Sequence, residues 1–287
     1  MRTKYLLPQW SYIMGWIMAL PGFVLGYLFL FKKYEIPGFG FRMRDNDGLL
    51  EKAFENFTNE LAIVLVIVGL LCIAFSKRKQ EDELTSKMRL SALHWGVITY
   101  YLIYVSVFVA ENLLVSVPFI VDHYLELNIF TPLLIFIARF SFLKLFNRDI
   151  YLVGNVKLLP NRPVKKIGIV LTLLSLSIAA SGLFSPLKYP FSYPLIYICF
   201  VFGLLLWSFS KYKIEDEMTK SQRLESLQLA VYFNYFLLLI ATLFTYSLDF
   251  LSVLAVANFS PLVFFVMRME YINYRNMNSL RGLVDEK

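Results

Sequence analysis

Two short runs in this chain bring acids and a base within reach of each other. Glu81-Asp82-Glu83 precedes Arg89, and Glu215-Asp216-Glu217 precedes Arg223, 134 residues further on. Such groups admit three kinds of chemistry. Clustered carboxylates can ligate a hard divalent cation, which takes oxygen donors. An acid can hold an arginine in a two-pronged ion pair. Acids at a helix start also complement the positive end of its dipole, while the nearby basic residues anchor the loop at lipid headgroups. The dipole accounts for the charge, but any acid would serve it, and Glu-Asp-Glu keeps its order in both runs. A side-chain-specific contact is therefore expected, with Asp82 or Glu83 holding Arg89, or the arginine of the other run, and clamping two parts of the chain together.

Five further polar residues fall inside apolar stretches: Arg139, Arg268, Glu111, Asn112 and Asn234. An arginine one or two turns from a span end can snorkel to the interface, while a carboxylate deep in a span needs a partner or a proton. Thr131-Pro132 and Ser260-Pro261 precede the two arginines at equal distance and are expected to kink their helices at matched depth. Catalytic patterns are absent from the sequence, with no HExxH, GxSxG, Gly-rich phosphate loop or paired CxxC, so a non-enzymatic protein is the favoured reading. His94 is replaced by Gln228 at the matching position, and no metal-ligand spacing or cofactor-binding pattern is present. Cys72 and Cys199 both lie in apolar runs, as packing residues do.

The elements that position these residues are membrane spans. Hydrophobic residues make up 58% of the 287 and charged ones 17%, against about a quarter in soluble chains. Runs near the ~20 apolar residues of a transmembrane helix fall at about 10–31, 57–75, 91–116, 128–146, 167–186, 192–209, 227–247 and 250–270. The fifth and sixth are the weakest, because Pro186, Pro190 and Pro194 crowd the turn between them. With the N terminus in the cytoplasm, 22 of the 28 Lys and Arg lie on the cytoplasmic side, so the positive-inside rule puts both termini and both acidic runs there. The net charge of +7 then serves orientation and anionic lipid. No soluble domain is left to read nucleic acid.

The chain also repeats itself. Phe75–Leu93 and Phe209–Leu227 are identical at 11 of 19 positions. Leu6-Leu7-Pro8-Gln9 answers to Leu158-Leu159-Pro160-Asn161, Gly15 to Gly168, and Asn128 through Arg139 to Asn258 through Arg268. The expected architecture is all-α: two four-helix units, 1–150 and 151–287, in tandem and, each having an even number of spans, in parallel orientation. The polar segment 32–56 has no counterpart in the second unit. Lys79–Leu93 and Lys213–Leu227 lack Gly and Pro and are expected to continue the following spans into the cytoplasm.

The order LLP-N/Q, a span, SKxKxEDEx5RLxSL, a span with paired aromatics, N-x-x-T/S-P and a late Arg resembles a family of small four-helix bacterial inner-membrane proteins, with a distant relation to families carrying a DERxxxxR cytoplasmic signature. The likeness covers both halves, here in tandem, and is best over Leu158–Tyr274. It implies no activity. These observations leave a sensory, regulatory or interaction role, through a cytoplasmic protein partner or self-association, and alternatively a transporter or channel with its pathway between the repeats.

Overall fold

The computed structural model describes residues 5–45, 52–79, 81–113, 129–146, 158–184, 192–213, 215–244 and 247–285. Its helices are α1 (Ser11–Lys32), α2 (Thr58–Phe75), α3 (Glu83–Leu113), α4 (Thr131–Phe146), α5 (Lys166–Phe184), α6 (Ser192–Phe209), α7 (Glu217–Phe244) and α8 (Ser247–Asp285). A wound segment, Asn161–Lys165, leads into α5. The stretches Ser11–Lys32, Thr58–Phe75, Glu83–Val107, Asn161–Ser181, Glu217–Phe244 and Val253–Asn278 are long and apolar enough to cross a bilayer, which makes the chain a multi-pass membrane protein by length and composition. The apolar part of α6, Leu195–Phe209, is shorter, and α4 has 16 residues.

Contacts gather into two compact units. One takes Met1–Gly154 and Tyr232–Asn258; the other takes Asn155–Val231 and Phe259–Lys287. These limits differ from the 1–150 and 151–287 expected above, because α7 and α8 each give residues to both units.

In the first unit α1 packs along α2 through a stripe without side-chain bulk. A Cβ added to Gly15 would stand 2.7 Å from the Gly69 carbonyl oxygen, and one added to Gly69 would stand 2.6 Å from the Ala19 nitrogen. Lipid gives no hydrophobic drive for helices to associate, so this close backbone approach is what supplies the packing. In the second unit α5 and α6 meet in the same way: a Cβ on Gly168 would lie 2.9 Å from the Gly203 carbonyl oxygen. Within 32–56, strand β1 (Gly40–Asp45) pairs antiparallel with β2 (Lys52–Asn56). Asn56 closes the base of this pair, donating to the Ile36 carbonyl at 2.9 Å and accepting from the Thr58 amide at 3.0 Å.

Several expectations need correcting. The third and seventh spans begin as helices at Glu83 and Glu217, not at Lys79 and Lys213, because Asp82 and Asp216 end the preceding loops as helix caps. Thr131-Pro132 opens α4, in the first turn, where a missing N–H costs nothing. Of this pair, Pro261 alone lies inside its helix, so the two prolines do not kink their helices at matched depth. Pro194 likewise sits in the first turn of α6, while Pro186 and Pro190 lie outside the described residues. The last helix runs 39 residues, ~58 Å at 1.5 Å per residue, well past the ~30 Å hydrocarbon layer.

Candidate functional site

Helix α2 ends at Phe75, and its last carbonyls have no following turn to bond them. Two groups take their place. Leu7, in the segment before α1, donates its amide to the Phe75 carbonyl at 2.9 Å and accepts from the Lys77 amide at 2.9 Å. Arg89, two turns into α3 and 1% exposed, brings in its guanidinium. Its Nη1 donates to the Ala74 carbonyl at 3.0 Å and its Nη2 to the Ser76 carbonyl at 2.8 Å. Glu81 neutralises it, Oε1 accepting from Nε at 2.9 Å and Oε2 from Nη2 at 3.3 Å. Glu81 Oε2 also accepts from the Arg78 amide at 3.1 Å, which fixes the turn. The Phe140 ring covers the guanidinium, its centroid 4.7 Å from Cζ. Three chain segments are thus tied at one buried cation.

Every one of these bonds recurs at Arg223, which is 2% exposed. Nη1 donates to the Ser208 carbonyl at 2.7 Å and Nη2 to the Ser210 carbonyl at 3.1 Å. Glu215 accepts from Nε at 3.3 Å and from Nη2 at 3.4 Å, and from the Tyr212 amide at 3.1 Å. Leu159 bridges Phe209 and Lys211, both at 2.9 Å, as Leu7 bridges Phe75 and Lys77.

The three acids of each run therefore do different work. Glu81 and Glu215 hold the arginine. Asp82 and Asp216 cap the next helix, each Oδ1 accepting from the amide and hydroxyl of Thr85 at 2.8 and 2.7 Å and of Thr219 at 2.7 and 2.8 Å. These bonds from threonine hold both aspartates below the ordinary carboxylate range. Glu83 and Glu217 open the helices, and Glu83 pairs with exposed Lys87 at 3.5 Å. The expectation that Asp82 or Glu83 holds Arg89, or that a run holds the other's arginine, is corrected: each arginine is taken by the first acid of its own run, because the loop before the helix folds back and the aspartate is committed to the cap. Nor do the carboxylates gather as cation ligands, since no group of three or more His, Cys, Asp or Glu placed to hold a metal occurs among the described residues.

The surroundings of the two clasps diverge. In the first unit the Arg78 guanidinium lies 4.3 Å from the Tyr12 ring centroid, pairing the loop with α1. In the second the aromatic sits on the loop and the cation before α5, with Lys165 Nζ 4.1 Å from the Tyr212 centroid. Glu270 joins this group, 2.6 Å from Lys165 Nζ and accepting from Trp207 Nε1 at 2.9 Å and the Tyr212 hydroxyl at 3.2 Å. Burial, and then the neighbouring Glu270 carboxylate, push the Tyr212 phenol up. The sequence reading missed Glu270, Lys165, Trp207 and Tyr212. The exchange of Arg78 for Tyr212 inside the repeated motif was the available signal.

The remaining candidates separate. Arg268 donates to the Ser226 hydroxyl at 2.8 Å. Arg139 differs: its Nε is buried with no hydrogen-bond partner among the described residues, beside a cavity of about 290 Å³. Asn234 is buried in α7 at 8% exposure. Glu111 and Asn112 fall in the last turn of α3, and their side chains lie outside the described residues. A buried polar cluster in the first unit was not foreseen. Asn258 accepts from the Tyr100 hydroxyl at 2.8 Å through its side chain and from Tyr101 through its carbonyl, and Tyr235 donates to the Ile129 carbonyl at 2.8 Å. The chain matches no protein-family model, no curated protein and no solved structure.

Proposed function

We propose that the chain is a non-enzymatic protein of the bacterial inner membrane with a sensory, regulatory or interaction role, built as two parallel four-helix repeats with both termini in the cytoplasm. The observation that carries this reading is the pair of matched clasps. In each, the first acid and the arginine are consumed in joining chain segments and the aspartate in capping a helix, so the motif organises the cytoplasmic face and its spent groups are not placed for chemistry. What the clasp leaves outward is the third acid with its neighbours, Glu83 and Lys87 among them, whose side chains are 53% and 44% exposed. A cytoplasmic protein or a second copy of the chain would meet this face. The resemblance to small four-helix membrane proteins fits a chain in which one polypeptide does what two do elsewhere.

A photo-reactive residue placed at Glu83 or Glu217 in cells should give one discrete adduct, whereas one placed at exposed Leu173 on α5 should give none. Equal adduct patterns at all three would sink the reading. The alternative, a transporter or channel, draws on Arg139, whose buried Nε has no hydrogen-bond partner among the described residues. Ion or solute flux in proteoliposomes that falls on Arg139→Gln would replace the first reading with the second.

A further inference from the structure

The two span arginines occupy matching sequence positions but live differently. Arg268 spends a donor on Ser226. At the position matching Ser226 the first half has Ala92, which is fully buried and offers no acceptor. Arg139 keeps a buried Nε with no partner among the described residues. An unsatisfied buried N–H on a fixed charge is costly, and native sites that keep one do so for a reason.

Space accompanies the missing partner. Trp95, Gly96 and Thr99 on α3 and Ile135 on α4 line the 290 Å³ cavity with Arg139. The second half has Leu229, Ala230, Phe233 and Phe264 at those positions, three of them bulkier. The first half therefore has the smaller residue at three of these four positions and no hydroxyl acceptor at Ala92 for its arginine. We infer that the Arg139 cavity is a binding site for a phosphate oxyanion, taken by the guanidinium with the Thr99 hydroxyl as a neighbouring donor.

The chemistry follows from the groups. A guanidinium is always charged and its forked donors fit phosphate. Arg139 lies seven residues before the end of α4, ~10 Å along the helix. With the cytoplasmic face placed as proposed above, that depth is the headgroup–acyl boundary, where Trp95, 43% exposed, also belongs. Basic pockets between helices on the cytoplasmic side take anionic lipid headgroups. The source of the oxyanion is then an anionic phospholipid or a free phosphate. The depth argument rests on the proposed orientation, whereas the unpartnered Nε of Arg139 among the described residues does not.

The purified full chain in neutral detergent, examined by native mass spectrometry, separates these. Wild-type protein should retain dioleoyl phosphatidylglycerol at a concentration at least tenfold lower than dioleoyl phosphatidylcholine. Arg139→Gln should erase that difference and Arg139→Lys should keep part of it. Ile135→Phe should weaken it with the charge intact, by putting into the cavity the larger ring that Phe264 carries at the matching position. Arg268→Gln should leave it unchanged, its arginine being already bonded. If inorganic phosphate binds the wild type and is lost in Arg139→Gln, with no preference between the lipids, the site holds and its source is free phosphate. An undiminished preference in both Arg139→Gln and Ile135→Phe would overturn the site. So would a wild type that binds neither probe. Neither outcome bears on the adduct experiment at Glu83 and Glu217, so this site and the interaction role fail separately.

Discussion

At the scale of single residues, the order Glu-Asp-Glu is explained by three unlike demands. The buried guanidinium needs a counter-charge, the helix needs a cap, and the exposed third position tolerates any acid. Removing one partner of a buried ion pair costs ~3–5 kcal/mol because the other charge is stranded. Glu81 keeps 18% of its side chain in contact with solvent, which moderates this. Glu81→Ala should therefore destabilise by ~2–3 kcal/mol in a denaturation series in detergent, and Glu81→Gln, which retains one acceptor, by less. Arg89→Lys should cost nearly as much as Glu81→Ala, since an ammonium cannot reach Ala74, Ser76 and Glu81 together. Stability of all three variants equal to wild type would mean the clasp contributes nothing. Asp82 makes a pH prediction. Its carboxylate is favoured by the fold through Thr85, so its pKa is lower folded than unfolded. The stabilisation is complete above the unfolded value of ~3.9 and disappears as pH falls through the depressed folded value. Asp82→Asn keeps an acceptor for the cap but no charge, so the acid limb of a stability–pH curve should flatten while stability at pH 7 falls by less than ~1 kcal/mol. An unchanged acid limb would show that the cap does not titrate with folding.

The helices are held in pairs by contacts that hydropathy does not encode. Each of the eight apolar runs overlaps one observed helix, six of which are long and apolar enough to cross a bilayer, since apolar length is averaged over ~20 residues and forgives local error. The loop before α3 reads as helix in the sequence because it lacks Gly and Pro. What stops the helix there is a capping aspartate, a signal of one residue and its threonine three positions later. The partner of Arg89 is hidden in the sequence for the same reason: helical spacing brings Asp82 near, but a loop brings Glu81. Pairing of Leu7 with Ser76 and of Leu159 with Ser210 links residues far apart in sequence, and only the shared LLP motif hinted at it. Gly15 and Gly168 were legible as a matched pair, but their partners Gly69 and Gly203 become visible only where backbones meet. Gly69→Val should separate α1 from α2, because even a Cβ would lie 2.6 Å from the Ala19 nitrogen and backbone has no rotamer to give. A loss of ~2 kcal/mol or more is expected, against little for Gly26→Ala, whose added Cβ meets only Ala62 at 3.9 Å. Glycine 26 and glycine 69 variants of equal thermal stability would show that the stripe carries no packing.

At the scale of the molecule, the first compact unit is not closed by the first half of the sequence. It includes residues 232–258, drawn from α7 and α8. The polar bonds there are internal to that unit: Tyr100 and Tyr101 to Asn258, Tyr235 to the Ile129 carbonyl, and Tyr232 to the Tyr5 carbonyl at 2.9 Å. Tyr100, Tyr101, Tyr235 and Asn258 are all buried, and lipid offers no replacement for a lost hydrogen bond. A chain ending at Gly154 would thus expose two tyrosine hydroxyls and one carbonyl to hydrocarbon, each costing ~1–3 kcal/mol, more than a small domain's margin spares. Expressed alone, residues 1–154 should aggregate on extraction into mild detergent. Co-expressed with residues 155–287 they should recover as a stable pair, and Asn258→Ala in the second fragment should weaken that pair. Tyr100→Phe with Tyr101→Phe removes the hydroxyls that lose their acceptor, so it should partly rescue the lone fragment. A monodisperse, thermally stable 1–154 fragment would instead mean that a duplicated unit still folds by itself, and that sharing α7 and α8 between units is a convenience of packing with no energetic hold.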